Sequence, residues 1–520
     1  MEFRQLRSTW LVQRILGCGT IAAALLFSGC VLAPAKNEHL VSYALPEAPA
    51  GTLQQYSQRI EDKLASAESA FWLLDRADLA LSARLALIDE AESALDIQYF
   101  IWRSDPSGSL VMHRLIQAAD RGVRVRLMLD DMTMNGKDRE YLALDSHPLI
   151  EVRTYNPWSN RNLAGRVSEY LMHRKEMKHR MHFKTILADK HFVMIGGRNI
   201  GDRYFGLYEK FVHNDLDIMS VGPLVADVSA SFDLYWNSAE SYPIIAVTEA
   251  GNADLTLDEY TAGLVGDYMA QQEKLLGFPL QPVEWHEYLE LLAETYIPGA
   301  GKVEYDLPMV DDQLPTQLYK PFKEFVAAAR EEVFIITAYF VPDEEFIALL
   351  RDLTARGVRV VVLTNSLASN NHPIAHTGYR HWRRQTFDAG VELYEARADA
   401  QSLPEHTTGN TKPGWLGLHI KAAVVDRRWS FVGSPNVDPR SFVLNSEIAF
   451  FIDSEPLAAE LGAILERDTA PENAWRVTTD DRGRLEWTSN TTTLTRQPAN
   501  GLLQRFLEFF VNWLPLKDQV

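Results

Sequence analysis

The stretch 181–199, MHFKTILADKHFVMIGGRN, recurs at 418–436 as LHIKAAVVDRRWSFVGSPN. Both copies contain the pattern H-x-K-x4-D, followed by a glycine 14 residues and an asparagine 17 residues after the histidine. The matching positions are His182, Lys184, Asp189, Gly196 and Asn199 in the first copy and His419, Lys421, Asp426, Gly433 and Asn436 in the second. A single short pattern has a high false-positive risk, whereas five matched positions indicate two equivalent halves.

Each copy has the pattern of two apolar strands joined by a polar turn at the aspartate. Because side chains alternate along a strand, the histidine and the lysine of each copy share one face. A single such pair is commonly a buried histidine beside a lysine that extends to solvent, but packing does not require the pair twice. A functional role is therefore favoured for both pairs.

The motif aspartates fall in the predicted turns, where an Asp side chain commonly closes the turn by binding backbone N–H groups. A structural role is favoured for Asp189 and Asp426, although both complete the motif and stay in the set of candidate catalytic residues.

Two histidines, two lysines and two asparagines suit a phosphate group. Lys184 and Lys421 would neutralise its non-bridging oxygens, and Asn199 and Asn436 would donate hydrogen bonds to them. One neutral imidazole can attack phosphorus while the other, protonated, supplies the leaving oxygen with a proton. This predicts a two-step transfer through a phosphohistidine. No metal or other cofactor is expected, since the acidic residues show no metal-ligand spacing.

Each imidazole is expected to have a carboxylate that fixes its tautomer. Asp217 lies 35 residues after His182, and Glu447 lies 28 residues after His419, each at the start of an apolar segment. We predict that each carboxylate orients the histidine of its own half.

The paired motif resembles that of the phospholipase D superfamily over about residues 75–500. The resemblance is strongest to bacterial cardiolipin synthases of the C type, through DIQYFIW at 96–102 and ADRGVRVRLMLDD at 119–131. It implies a bilobal αβ fold with one shared active site, a phosphohistidine intermediate and phosphatidyl transfer between lipids. It also implies that His182 is the nucleophile and His419 the acid, an order that the residues alone leave open.

The repeat continues upstream of the motifs. IITAYFVP at 335–342 is similar to LDIQYFIW at 95–102, which pairs Tyr99 with Tyr339 at an offset of 240, and TARGVRVVVLTN at 354–365 is similar to ADRGVRVRLMLD at 119–130. We predict an α/β fold: two similar αβ domains related by a pseudo-twofold axis, each with a mixed, parallel-dominated sheet flanked by helices, and a single shared active site.

A chain of 520 residues is too long for one ordinary core. The predicted segments are a signal peptide with a lipobox, or a membrane anchor, at 1–30; an N-terminal linker and helix at 31–74; a first phospholipase D-like domain at 75–236; a connecting helical segment at 237–303; a second such domain at 304–490; and a C-terminal amphipathic helix at 491–520.

Composition and net charge favour some classes of protein and argue against others. The chain is 46% hydrophobic and 23% charged, as in globular proteins, and its net charge of −19 argues against sequence-independent binding of nucleic acid. The basic run HRKEMKHR at 173–180 is a local exception, compatible with a solvated helix face or with an entry patch for anionic lipid headgroups.

The N-terminal segment has three arginines followed by the uncharged run ILGCGTIAAALLFSGC at 15–30, which predicts either lipidation at Cys30 or an uncleaved anchor. Both interpretations attach the protein to a membrane, and we favour a lipoprotein on the periplasmic side of a bacterial envelope. Cys18 and Cys30 are the two cysteines of the chain, so no disulfide is expected in the folded body.

Two further segments leave alternatives open. The terminal segment GLLQRFLEFFVNWLPLKDQV carries an apolar stripe at helical spacing, which suits docking onto its own domain or contact with lipid. His372, His376 and Tyr379 suit either a headgroup-contacting loop or plain surface.

The function predicted from these features is membrane-associated phosphatidyl transfer of the cardiolipin synthase type. Its partners would be a membrane surface and phospholipids, with phosphatidylglycerol as the first candidate and phosphatidylethanolamine as the second. The alternatives are a hydrolase that releases phosphatidate, a periplasmic nuclease that the charge disfavours, and an inactive lipid-binding protein that the complete motifs disfavour.

Overall fold

The computed structural model describes residues 41–134, 136–158, 161, 178–248, 254–308, 316–490, 492–501 and 504–505. The predicted leader with Cys30, most of the basic run and 18 of the 30 residues predicted as the terminal helix at 491–520 lie outside these ranges. The described part of that predicted helix differs from the prediction at Thr492–Leu494, which form a strand. Within them, no helix is both long and apolar enough to cross a bilayer.

The first half begins before the predicted domain boundary at residue 75. Its elements are α1 (Thr52–Glu61), β1 (Glu68–Leu74), α2 (Ala77–Glu90), β2 (Ala94–Tyr99), α3 (Pro106–Asp120), β3 (Arg124–Asp130), α4 (Asp138–Asp145), β4 (Ile150–Tyr155), β5 (Arg180–Met181), β6 (Lys184–Ala188), β7 (Phe192–Gly196), β8 (Val212–Asn214), β9 (Asp217–Val221) and α5 (Leu224–Trp236). Because β1 pairs with β9, the segment before residue 75 contributes a strand to the sheet.

The connecting segment and the second half follow. The elements are β10 (Ser241–Pro243), α6 (Ile244–Val247), α7 (Leu257–Ala270), α8 (His286–Thr295), β11 (Ile297–Tyr305), α9 (Tyr319–Ala327), β12 (Glu332–Thr337), α10 (Glu344–Ala355), β13 (Arg359–Asn365), α11 (Pro373–Asp388), β14 (Glu392–Ala396), β15 (Leu416–Leu418), β16 (Lys421–Val425), β17 (Trp429–Gly433), β18 (Asn445–Ser446), β19 (Ile448–Asp453), α12 (Glu455–Thr469), β20 (Ala474–Thr479), β21 (Leu485–Ser489) and β22 (Thr492–Leu494).

Each half contains a mixed sheet flanked by helices, as predicted. The strand order is β4-β3-β2-β6-β7-β9-β1 in the first half and β14-β13-β12-β16-β17-β19 in the second, and β11 pairs with both β1 and β19. The expectation that parallel pairs dominate is wrong. Parallel ladders occur in β2-β3-β4 and β12-β13-β14, where helices cross over, while short connections force the motif strands to run antiparallel.

The register of the upstream repeat differs from the predicted one. Ile97 lies opposite Ile186, and Ile335 lies opposite Ala423, which is 237 residues after Ile186. Ile97 is therefore equivalent to Ile335 at an offset of 238, and Tyr99 is equivalent to Thr337 instead of Tyr339. A slip of two residues preserves the face of every side chain, so the hydrophobic pattern could not detect it.

The motif strands are buried on both faces. Along β6, Ile186 and Ala188 join the core of the first half, whereas Leu187 joins a central core built by both halves. Ala422 and Val424 of β16 pack into the same central core, and Ala423 and Val425 pack into the core of the second half. The two half-sheets thus pack face to face, and both motif strands start beside their interface.

Candidate active site

The two motif histidines are held by carboxylates from the opposite half. His182 Nδ1 lies 2.8 Å from Glu447 Oε2, and His419 Nδ1 lies 2.6 Å from Asp215 Oδ2. The prediction that each half orients its own histidine is therefore wrong. Since Nδ1 of each ring is occupied, Nε2 is the nitrogen left for chemistry in both.

Backbone pairing fixes the same crossed arrangement. The strand pair β5–β18 leads to a bond from His182 N to the Ser446 carbonyl at 2.9 Å. The strand pair β8–β15 leads to a bond from His419 N to the Asn214 carbonyl at 2.7 Å. Each histidine is held through backbone and side chain by the other half, so this geometry requires both halves to be docked.

Asp217, the predicted orienting carboxylate of the first half, is a buried ion-pair residue instead. Its Oδ2 lies 2.9 Å from Arg84 Nη2 and 3.3 Å from Arg198 Nη1. Asp217 is already inside β9, opposite Gly196, whereas Asp215 precedes the strand. Asp215, like Glu447, lies just before its strand begins. A rule that selects the acidic residue before the strand start would therefore have selected Asp215.

A second sequence signal lies in the pair Gly196-Gly197, which matches Gly433-Ser434 in the second half. A Cβ atom at Gly197 would lie 2.0 Å from Asp215 Oδ1, so the glycine provides the space for that carboxylate. In the second half, the Ser434 hydroxyl donates to Glu447 Oε2 at 2.5 Å. The two orienting carboxylates therefore have different environments.

The motif aspartates hold turns together. The Asp189 carboxylate accepts N–H bonds from Glu92, Ser93 and Ala94 at 2.8–2.9 Å, and the Asp426 carboxylate accepts them from residues 330–332. Both aspartates have left-handed φ angles, 52° and 49°. At about 3.3 Å per strand residue, seven residues place each one up to about 23 Å from its histidine. Their position does not fit the candidate catalytic role, and they connect the turns to the starts of β2 and β12.

The motif asparagines are buried and partly engaged. Asn199 Oδ1 accepts the Ile101 N–H at 3.0 Å, and Asn436 N donates to Ser441 Oγ at 3.0 Å. Asn436 Oδ1 is buried without a hydrogen-bond partner. Donation of their amide groups to phosphate remains a prediction.

Both motif lysines are buried at the site. Lys184 Nζ donates to the His182 carbonyl at 2.5 Å, and Lys421 Nζ donates to the His419 carbonyl. Burial lowers the pKa of the Lys184 ammonium well below its usual value and that of Lys421 to about 8. A phosphodiester anion would oppose these shifts, because it favours the charged form of both lysines.

Desolvation also governs the imidazoles and their carboxylates. Burial lowers the pKa of His182 to about 4 despite Glu447, and that of His419 falls well below its usual value, with Lys421 and Lys184 adding to the effect. Burial raises the pKa of Asp215. Burial likewise opposes ionisation of Glu447, but His182, Lys184 and Ser434 outweigh it and lower its pKa. Burial therefore favours the neutral form of both imidazoles, and a phosphodiester anion bound between them would favour the protonated form of the one that acts as acid.

Of the three residues that the sequence left ambiguous, His372 lies near the site, while His376 and Tyr379 bond to other side chains. His372 packs its ring 5.6 Å from that of Tyr339, and its charge contributes to the lowered pKa of His419, so it lies near the site. The Tyr379 hydroxyl donates to the buried Glu395 at 2.9 Å, and His376 Nε2 lies 3.4 Å from Gln497 Oε1. Tyr379 and His376 are therefore bonded to other side chains of this protein.

The lysine and histidine pKa values predict a pH profile. Above about pH 4, His182 is neutral and able to attack phosphorus, and the cationic field declines as Lys421 loses its proton near pH 8. The partner imidazole, His419, must be protonated to act as the acid, and burial lowers its pKa as well. We therefore expect kcat/KM to rise above about pH 4 and to fall at least tenfold per unit on the alkaline side, with a midpoint at or below about 8. Circular dichroism at each pH controls for unfolding, and a flat profile up to pH 10 would contradict the assignment.

No group of three or more His, Cys, Asp or Glu side chains in the described ranges is arranged to hold a metal ion. The reactive groups at the described site are imidazole, ammonium and carboxylate groups.

The fold and the paired motif site define a phospholipase D-like protein. Residues 85–236 and 322–469 match the family described as "Cardiolipin synthase, PLD-like domain". Cardiolipin synthase C of Escherichia coli (strain K12) is 35% identical over 455 residues, which cover 84% of this chain and 93% of that protein. The chain belongs to this family of phospholipase D-type enzymes.

A second relative agrees with this assignment, and a solved structure shares the fold. The cardiolipin synthase of Oceanobacillus iheyensis is 26% identical over 392 residues, covering 74% of this chain and 67% of that protein. The crystal structure of phosphatidylserine synthase from Haemophilus influenzae Rd KW20 superposes with a TM-score of 0.52 over 79% of this chain and 91% of that one, at 14% identity. The second comparison is a likeness of fold.

Proposed function

We propose that the protein transfers a phosphatidyl group from one phospholipid to the hydroxyl group of another, as a cardiolipin synthase does. The observation that carries the proposal is the pair of imidazoles, each bound through Nδ1 to a carboxylate of the opposite half, with a buried lysine two residues after each histidine. The names of the relatives, cardiolipin synthase and phosphatidylserine synthase, supply the lipid class.

In the first step, Nε2 of one histidine attacks the phosphorus of the donor lipid. The bond from phosphorus to the headgroup oxygen breaks, and the protonated partner histidine gives that oxygen its proton. His182 is assigned as nucleophile and His419 as acid, and Lys184 and Lys421 neutralise the negative charge on the phosphoryl oxygens. The product of this step is a phosphatidylhistidine and a free headgroup alcohol.

In the second step, the hydroxyl of an acceptor lipid attacks the same phosphorus. It gives its proton to His419, which is now neutral, and the bond between phosphorus and His182 breaks. The enzyme returns to its starting protonation state. With water in place of the lipid hydroxyl the same steps yield phosphatidate, so the acceptor distinguishes a synthase from a hydrolase.

The remaining part of the proposal is location. The protein would act at a membrane surface, attached through the N-terminal segment that ends at Cys30, on the periplasmic side of a bacterial envelope. The uncharged run before Cys30 supports attachment, because it suits either a lipobox or an anchor.

Product analysis tests the proposed reaction. Full-length protein in vesicles of phosphatidylglycerol and phosphatidylethanolamine is expected to form cardiolipin, detected by mass spectrometry, with and without EDTA. A His182→Ala, His419→Ala double variant is the blank. Phosphatidate without cardiolipin would assign a hydrolase, and loss of turnover in EDTA that a divalent metal restores would contradict the lysine-based site.

A further inference from the structure

A third histidine lies against the site. His213, in β8, is 1% exposed, and its ring centre is 4.9 Å from that of His419. The ring stacks on Tyr204 at 5.0 Å and meets Phe211 edge-on at 5.2 Å. Neither ring nitrogen has a hydrogen-bond partner. Buried polar groups are nearly always bonded, so two free nitrogens beside a motif histidine call for a physical reason.

The equivalent position in the second half holds a related feature. Gly196 pairs with Asp217 and Gly433 pairs with Ala449, which sets an offset of 232 and makes His213 equivalent to Asn445. The Asn445 side chain is buried, and its Oδ1 likewise has no hydrogen-bond partner. Its Nδ2 donates to Glu447 Oε1 at 3.4 Å, so Asn445 is partly bonded, whereas His213 is not bonded at all. Both halves therefore have a buried polar side chain with an unbonded atom two residues before the orienting carboxylate.

Strand geometry and ring contact place the His213 side chain beside the imidazole of His419. Residues two apart on an extended segment share a face, so His213 lies on the side of Asp215, the carboxylate that holds His419. A Cβ atom on Gly417 would be 3.3 Å from His213 Nδ1, which places Nδ1 toward β15 and points Nε2, the other neighbour of Cε1, away from that glycine.

The charge state of His213 suits a hydrogen-bonding role. Burial lowers its pKa well below the usual value, and His419, Arg203 and Lys421 act in the same direction, while Asp215 acts against them. A neutral imidazole has one N–H donor and one acceptor nitrogen. A hydroxyl group, which also donates and accepts, is a matching ligand.

We infer that His213 hydrogen-bonds the alcohol oxygen whose proton His419 carries, first the departing headgroup oxygen and then the acceptor hydroxyl. This inference rests on the proposed function. It makes the site asymmetric: the His419 half, with its second imidazole, handles alcohols, and the His182 half, where the amide Asn445 stands, does not.

Packing is the competing explanation, because the His213 ring stacks between aromatic side chains. A matched pair of variants separates the two. His213→Gln and His213→Met remove the ring equally and have similar length and shape, but only glutamine keeps a donor near the position of Nε2. Their ratio therefore isolates the hydrogen bond from the loss of packing.

Steady-state phosphatidyl transfer to the lipid alcohol is the first measurement. We expect kcat of His213→Met to be about tenfold below that of His213→Gln at similar KM, the loss of one hydrogen bond in the transition state. Equal kcat values for the two variants would overturn the inference. If neither variant folds, His213→Phe, which keeps the stack, gives the same comparison against the wild type.

A donor lipid that carries p-nitrophenol as headgroup is the second measurement, since this leaving group departs as an anion without a proton. The burst of p-nitrophenolate is expected to keep its wild-type rate within about threefold in His213→Met, because the first step then needs no proton from His419. A burst that falls as far as overall transfer would show a structural role. Absence of any burst or transfer in the wild type would instead refute the proposed function.

Discussion

Replacing either His182 or His419 by alanine is expected to lower turnover at least about 10,000-fold, and the double variant should be no worse than either single variant. Residues that act as one unit show this non-additivity, because losing one member already removes the covalent route. The structure strengthens the expectation, since each imidazole is fixed by a carboxylate and a backbone carbonyl of the opposite half.

The two variants should differ when the leaving group needs no proton. With a p-nitrophenol donor lipid, His419→Ala is expected to release p-nitrophenolate and retain phosphatidyl on the protein, whereas His182→Ala should do neither. The reverse result would exchange the roles of the two histidines. His381→Ala, on the exposed face of α11, is the matched control and should keep wild-type turnover. A single variant with near-normal activity would rule out the paired mechanism.

The local features of the motif could be predicted because they depend on neighbours in the chain. Alternation along 182–188 places His182 and Lys184 on one face, and the left-handed φ of Asp189 is what a turn aspartate tolerates. The presence of two equivalent halves followed from the repeated spacing alone. Each of these inferences needs only the period of a strand and the chemistry of a turn.

The crossed carboxylates could not be predicted in this way. Sequence order pairs Glu447 with His419, yet Glu447 binds His182, since β18 pairs with β5 of the other half. Asp217 begins the apolar segment that the sequence pattern identifies, whereas the carboxylate that binds His419 is Asp215, two residues earlier. Docking of the halves decides which carboxylate meets which imidazole, and local pattern contains no information on docking.

Replacing each of the two aspartates, Asp215 and Asp217, by asparagine should distinguish their roles, because one variant should lose activity and the other stability. Asp215→Asn is expected to fold normally and lose about 1,000- to 10,000-fold in kcat, because an amide no longer stabilises the imidazolium or fixes the tautomer of His419. Arg198 should be little affected, since its bond to residue 215 goes to the backbone carbonyl, at 2.5 Å.

Asp217→Asn is expected to act on stability instead. Its carboxylate neutralises the buried guanidinium of Arg84 and contacts that of Arg198, and leaving these charges without their partner costs about 3 kcal/mol or more. Activity per folded molecule should stay within a few fold of the wild type. Urea unfolding and active-site titration of the p-nitrophenolate burst give the two quantities. If Asp217→Asn abolished catalysis in a stably folded protein while Asp215→Asn did not, the carboxylate of His419 would have to be reassigned. The reason is that the tautomer and the imidazolium form of this ring are controlled by the group bound to Nδ1.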